Sequence, residues 1–274
     1  MFRRDFVMKE HKGNRLYIAL GSRLQGVPEV LTLGVKPNFL DYTPYERKLI
    51  AAAKIVLYPT LNYAQFFTTA GKDIYPSLET YLYADEKIKQ TTLFYMSNIP
   101  HPRTRIYYHL HHGNIRKDFV FPFIAKLARG SAQGRGVFKI ENEDELASYL
   151  AITDVAYIQE YLPHDRDLRV VLINYEPVLA YWRIGRPGNF RTNLSQGGKI
   201  AFDDIPPEGV RLASEAAKIC NFNDVGMDLI NCMGRWYVIE ANMKYGRKGL
   251  KRKGLDLKEI MRQKILTGEL FGKI

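Results

Sequence analysis

Two parts of this sequence have the residue types and spacing to hold a divalent cation and phosphate. Asp228 lies in an apolar run from Val225 to Ile230, and Glu240 and Asn242 follow in the segment RWYVIEAN. Residues two apart share one face of a strand, so Glu240 and Asn242 point the same way. If the turn between the runs takes the three residues Met233–Arg235, Asp228 falls opposite Glu240. Two carboxylates and an amide oxygen then converge, a hard-oxygen set suited to Mg²⁺ shared with phosphates. A two-residue turn at Met233-Gly234 puts Asp228 on the other face. The plainer reading, solvated acids on an exposed sheet, fits Asp228 poorly, because its apolar neighbours imply burial and an unpaired buried carboxylate is costly. The second part is Arg129-Gly-Ser-Ala-Gln-Gly-Arg-Gly136, where Gly130, Gly134 and Gly136 let backbone N–H groups converge on phosphate and Ser131 adds a donor. No Gly-Lys-Ser/Thr follows, so it is not a Walker loop. A hairpin tip that needs glycine only for its geometry is an equally good reading of the loop alone.

Two further features are polar groups in unusual settings. Lys126 alternates inside the apolar strand pattern VFPFIAKLA, where a lysine either snorkels to water or meets an anion. Arg183, Arg191 and Asn193 cluster in YWRIGRPGNFRTNLSQGG, a polar stretch long for a mere connection and able to supply donors to an anionic intermediate. A solvated loop is the alternative there. An ion-paired strand start is the alternative for Asp165, Asp167 and Arg169.

These residues need elements to position them. Up to about residue 85, short strands (RLYIALG, VLTLGV, IVLYPT) alternate with helices, the pattern of a small parallel α/β sheet. Thr43, Pro44 and Glu46 form a capping box that opens the helix between the last two strands, and a second helix near YAQFFTTA stops at Gly71. A helix over about 86–97 ends at IPHPRT and an extended segment begins. VFPFIAKLA and VFKI flank the glycine loop as a hairpin, and Asn142 with Glu145 caps a helix through Leu150. AYIQEYL, LRVVLI and PVLAYWRI read as strands, Val210, Ala213, Ala217 and Cys220 form a helical stripe, and a last helix lies near LKEIMRQKIL. Three α/β pieces emerge rather than one doubly wound sheet.

The chain has 274 residues, 46% hydrophobic and 25% charged, which describes a folded protein and argues against disorder. Two cysteines, Cys220 and Cys232, cannot make a disulfide framework, which favours a cytoplasmic setting. The first ten residues lack a signal-peptide core, and apolar stretches such as IAAAKIVLY are too short to span a membrane. Of the net charge of +11, six positive charges fall in KYGRKGLKRK (244–253), leaving +5 elsewhere. His109, His111 and His112 lack an evident further ligand for a metal and read as surface residues.

In order, two lysines, a glycine loop, Gln-Glu-Tyr-Leu, Asp-x-Arg, Phe-Arg-Thr-Asn-Leu, then Asp and Glu-x-Asn make a series. It resembles the ATP-grasp superfamily, nearest to the RimK-like glutamate and amino-acid ligases, from about Asp85 to Asn242. The resemblance implies an α/β fold in three parts: an N-terminal α/β domain over 1–85, a central lid subdomain over 86–162 and a C-terminal subdomain over 163–274. It implies that Lys87, Lys126 and the loop with Gly130, Ser131, Gly134 and Gly136 contact ATP phosphates. Glu160, Tyr161 and Leu162 would line the adenine, with Asp167 near the ribose. Asp228, Glu240 and Asn242 would hold Mg²⁺ or Mn²⁺, and Arg191, Asn193, Arg183 and Arg169 would meet the transferring phosphoryl group.

The implied reaction is ATP-dependent, ADP-forming ligation of a carboxylate to an amine through an acyl phosphate. Such transfer needs positioning and charge neutralisation more than a nucleophilic side chain, and no nucleophile motif is evident. Where the family continues Glu-x-Asn with a small residue and Ser-Pro-Gly, this chain has Met243-Lys244-Tyr245-Gly246, so the basic stretch points to an acidic acceptor (amino acid, peptide or protein terminus) or a phosphate-rich one. An ATP-binding regulatory module is the second reading. A nucleic-acid-binding protein using the basic stretch ranks third.

Overall fold

A computed structural model describes residues 17–128, 136–185 and 198–271. The chain divides into two compact units, one running to Leu82 and resuming at Leu250, the other Tyr83–Gly249.

The first unit is built on four short strands, β1 (Tyr17–Ala19), β2 (Val30–Thr32), β3 (Ile55–Leu57) and β4 (Asp73–Tyr75), all parallel in the order β2-β1-β3-β4. Helix α1 (Pro44–Ala52) starts as the sequence requires: Thr43 Oγ1 accepts from the Glu46 N–H, and Glu46 Oε2 accepts from the Thr43 N–H at 2.7 Å. Helix α2 (Leu61–Thr69) is followed by Gly71 at φ +71°, the left-handed stop expected there. Ile18, Val56, Ile50 and Phe67 meet in the core of this sheet and its helices. Helix α3 (Leu78–Tyr83) leads out of the unit.

The second unit holds two antiparallel sheets. Its elements run α4 (Lys87–Met96), β5 (Thr104–Tyr108), α5 (Ile115–Asp118), β6 (Phe123–Leu127), β7 (Val137–Ile140), α6 (Glu143–Leu150), β8 (Val155–Glu160), β9 (Arg166–Ile173), β10 (Glu176–Ile184), β11 (Lys199–Ala201), α7 (Pro207–Ile219), β12 (Asp224–Cys232) and β13 (Arg235–Asn242). One sheet has the order β5-β8-β6-β7, the other β11-β10-β9-β12-β13. Asn142 caps α6 by accepting from the Glu145 N–H at 2.9 Å. The stripe on α7 is in place: Ala213, Ala217 and Cys220 are buried on Leu168 and Val170 of β9, and Val210 packs beside them. Gly209 belongs to the same contact, since an added Cβ would lie 2.7 Å from Leu168 Cδ2. Burial pushes the Cys220 thiol up to about 12, so it is a core residue, not a reactive one.

The chain closes with α8 (Lys248–Arg252) and α9 (Leu257–Leu266). The sequence reading groups residues 163–274, whereas from Leu250 onward the chain packs with the first unit. Arg262 on α9 explains why: its guanidinium pairs at 2.9 Å with Glu29, a carboxylate only 5% exposed that would otherwise be buried unpaired. Among the described residues no helix is long and apolar enough to cross a membrane.

Candidate functional site

The site begins with the β12–β13 hairpin. Its turn is the two-residue Met233-Gly234, with φ values of 52° and 80°, and Cys232 pairs with Arg235. Continued without interruption, that register would set Asp228 opposite Ile239. Instead the ladder shifts by one residue after the Leu229–Val238 pair, and Asp228 pairs with Glu240 and Gly226 with Asn242. Ile239 is the extra residue of a β-bulge. A two-residue turn plus a bulge therefore reaches the juxtaposition that the sequence reading tied to a three-residue turn.

Strand β13 is held at this point from α4. Gln90, 2% exposed, donates through Nε2 to the Ala241 carbonyl at 2.7 Å and accepts the Ala241 N–H through Oε1 at 2.8 Å. The Asp85 N–H donates to the same carbonyl at 3.0 Å. Ala241 separates Glu240 from Asn242, so both side chains are set by these bonds. One turn before Gln90, Lys87 places its ammonium 3.6 Å from Glu240 Oε1.

Asp228 is 2% exposed and lies between two arginines that are also buried. Arg169, paired with it across β9–β12, forks onto it through Nε and Nη2, the second contact at 2.6 Å. Arg183 on β10 reaches Asp228 Oδ2 at 2.9 Å through Nη2 and Asp167 Oδ1 at 2.5 Å through Nε. The Asn242 amide adds a longer contact to Oδ2 at 3.3 Å. Burial alone would raise the Asp228 pKa, but the two guanidinium groups override it and hold the carboxyl below its ordinary range. Two carboxylates and two guanidinium groups balance, which makes the cluster tolerable inside the protein.

Across the unit, Lys126 on β6 is half-buried. Burial pushes its ammonium down to about 8; Glu240 pulls it up, Lys87 pushes it further down and Asp228 pulls it up. The Tyr149 hydroxyl pins this strand by donating to the Lys126 carbonyl at 2.7 Å and accepting from the Tyr157 N–H at 3.1 Å. Gly136, at φ +81°, accepts the Leu127 N–H at 2.8 Å and carries the β6–β7 hairpin toward its tip. Beyond β8, Glu160 spends its carboxylate on the Arg103 N–H at 2.6 Å, and the Tyr161 ring stacks on the Lys139 ammonium. The Leu162 carbonyl bonds the His164 ring.

The described structure thus brings Lys87, Lys126, Asp228, Glu240, Asn242, Arg169 and Arg183 into one electrostatic cluster. Asp167, expected near a ribose, is 1% exposed and accepts from Arg183 Nε. Gly130, Ser131, Gly134, Arg191 and Asn193 lie outside the described residues. His109 and His112 rings sit 5.5 Å apart, but among the described residues no group of three or more His, Cys, Asp or Glu gathers around a metal position. Glu240, Asn242 and Asp228 form a different kind of set, two carboxylates with an amide, whose hard oxygens beside two lysines suit Mg²⁺ bridging to phosphate. Lys244, Arg247 and Lys248 are exposed. Gln90 and Tyr245, which hold Ala241 and Arg169, do not stand out as site residues in the sequence. A glutamine on the buried face of α4 was the available signal for the first.

The fold is the ATP-grasp fold, and the second unit carries both the β6–β7 hairpin and the carboxylate-bearing β12–β13 hairpin. A family model described as a RimK-like ATP-grasp domain matches residues 84–265, and the chain belongs to that family. It is 30% identical over 190 residues to the coenzyme gamma-F420-2:alpha-L-glutamate ligase of Methanococcus maripaludis, covering 66% of each chain. It is 31% identical over 136 residues to the "Probable alpha-L-glutamate ligase" of Aeromonas salmonicida, covering 47% of this chain and 45% of that one. The matches thus span between about half and two thirds of these relatives' length. Among solved structures, the ATP-grasp ligase PsnB complexed with minimal precursor superposes with a TM-score of 0.66 at 18% identity, covering 93% of this chain and 99% of PsnB.

Proposed function

We propose that the chain is an ATP-dependent carboxylate–amine ligase that works through an acyl phosphate. The observation that supports this best is the shared face of Asp228, Glu240 and Asn242, with the Lys87 ammonium 3.6 Å from Glu240. Cationic side chains beside hard-oxygen ligands suit a nucleoside triphosphate and its Mg²⁺.

In this reading Lys87, Lys126 and the 129–136 loop bind the phosphates. The backbone of Glu160, Tyr161 and Leu162 lines the adenine, since the Glu160 carboxylate is already engaged. Asp167 acts through Arg183, which it orients. Glu240, Asn242 and Asp228 would hold Mg²⁺ or Mn²⁺, which would neutralise charge on the phosphates. A substrate carboxylate oxygen attacks the γ-phosphorus and ADP leaves. The amine then attacks the acyl carbon, phosphate departs with that oxygen, and the amine gives up a proton. Arg169, Arg183, Arg191 and Asn193 stabilise the anionic intermediate. The relatives' names suggest L-glutamate as one substrate, and PsnB's precursor suggests a peptide as the other. Exposed Lys244, Arg247 and Lys248, directly after Asn242, favour an acidic acceptor.

Screening ADP release over amino acids, dipeptides and acidic peptides, with mass spectrometry of the product, tests the reading. Glu240→Ala should lower turnover by about a hundredfold or more with the fold intact. Near-normal turnover in that variant would refute the metal assignment. A nucleotide-binding module without turnover is the second reading, favoured by the arginines that occupy Asp228. Tight ATP binding with background ADP release throughout the screen would establish it.

A further inference from the structure

The segment after β13 is organised around one buried side chain. Tyr245 is 4% exposed, and its hydroxyl donates to Asp224 Oδ1 at 2.9 Å. Its Cβ occupies the space over Gly226, where an added Cβ would lie only 2.3 Å away. Three contacts therefore converge: a hydrogen bond at the ring tip, a close approach at Cβ, and a carbonyl that accepts from Arg169 Nη1 at 2.8 Å. The guanidinium is a rigid plane, so fixing Nη1 also fixes the Nε–Nη2 edge that forks onto Asp228.

We propose that Tyr245 is a positioning residue for the ligase reaction. It holds Arg169 from behind and so sets how readily Asp228 turns from its arginines to a divalent cation. This rests on the metal-assisted reading above. Tyr245 acts through Arg169 and is itself buried, with its hydroxyl on Asp224. The direction of its effect follows from the contacts. Asp228 Oδ2 accepts from Arg169, Arg183 and Asn242, so a cation can recruit that oxygen only by displacing a donor. An Arg169 that has lost its anchor yields more easily, and it is also less well placed for catalysis. Loosening Tyr245 should therefore tighten cation binding while slowing turnover. A merely structural role would weaken both.

The test is a Mn²⁺ titration of the full chain in the presence of ADP, followed by electron paramagnetic resonance, alongside ADP release from ATP. Tyr245→Ala should bind Mn²⁺ about tenfold more tightly, the ratio that corresponds to one hydrogen bond to a charged group, and turn over more slowly. Tyr245→Phe keeps the ring over Gly226 and should stay within about twofold of the parent. Gly226→Ala pushes Tyr245 away from the other side and should shift Mn²⁺ binding in the same direction; it decides the matter if Tyr245→Ala does not fold. Unchanged or weaker Mn²⁺ binding in folded Tyr245→Ala or Gly226→Ala would overturn the positioning role alone. A parent chain that binds neither Mn²⁺ nor ADP would overturn the ligase reading with it.

Discussion

The side chain of Gln90 pairs with the backbone of Ala241 as a neighbouring strand would, giving and receiving one hydrogen bond across 151 residues of sequence. A third bond, from Gln90 Nε2 to the Tyr83 carbonyl at 2.9 Å, keeps the amide from turning over. Lys87 and Glu240 face each other because of this link. Gln90→Met preserves length but leaves the Ala241 N–H buried without a partner. We expect a loss of about 2–3 kcal/mol, read from the urea midpoint, and weaker Mn²⁺ binding with ADP.

Asp167 and Arg183 make the second test of the buried network. Asp167→Asn keeps the shape but removes one of two charges facing Arg183, so about 2–4 kcal/mol of stability should be lost in chemical denaturation. Adding Arg183→Met should restore part of that loss, because the uncompensated cation is gone. If the double variant is less stable than the single one by the full additive amount, the two residues are not coupled.

Lys126 gives a pH signature. Its folded-state pKa is near 8 against an ordinary 10.5, so the unfolded chain binds the proton more tightly. Below pH 8 both states are charged and the cost of burying the charge is fully present. Between pH 8 and 10.5 the folded state sheds the proton first, and stability attributable to this group rises with pH. Lys126→Met should be the more stable protein at pH 7 and should lack that rise, as seen in urea midpoints from pH 7 to 10.5. A phosphate ligand would draw the proton back, so nucleotide binding at pH 9 should take up protons, measurable by calorimetry in two buffers.

Met233 is 98% exposed and sits at φ 52°, a conformation that asparagine adopts more easily than methionine. Met233→Asn creates an Asn-Gly turn, loses no packing and should stabilise the hairpin by about 0.5–1 kcal/mol, with activity unchanged. Thermal denaturation followed by circular dichroism suffices.

What could be read from the sequence was mostly local. Thr43, Pro44 and Glu46, or Asn142 and Glu145, state a helix start within four residues, and the strand runs state themselves by apolar content. The carboxylate hairpin was legible as a pair of runs, but not in register, because Ile239 has no feature that marks a bulge. Arg169 and Asp228 lie 59 residues apart, and only the order of β9 and β12 in the sheet makes them neighbours. The same holds for Arg262 and Glu29, whose pairing attaches the last helix to the first unit. Burial of Asp228 followed from its apolar neighbours. That two arginines would neutralise it did not.

The most direct test of the ligase reading follows one oxygen atom. If a substrate carboxylate attacks the γ-phosphorus, a carboxylate labelled with ¹⁸O must pass one labelled oxygen to the phosphate released when the amine displaces it. With L-glutamate or the acidic peptide as the labelled donor, mass spectrometry should find singly labelled phosphate in step with the amide product. Unlabelled phosphate accompanying amide formation would contradict the acyl-phosphate route.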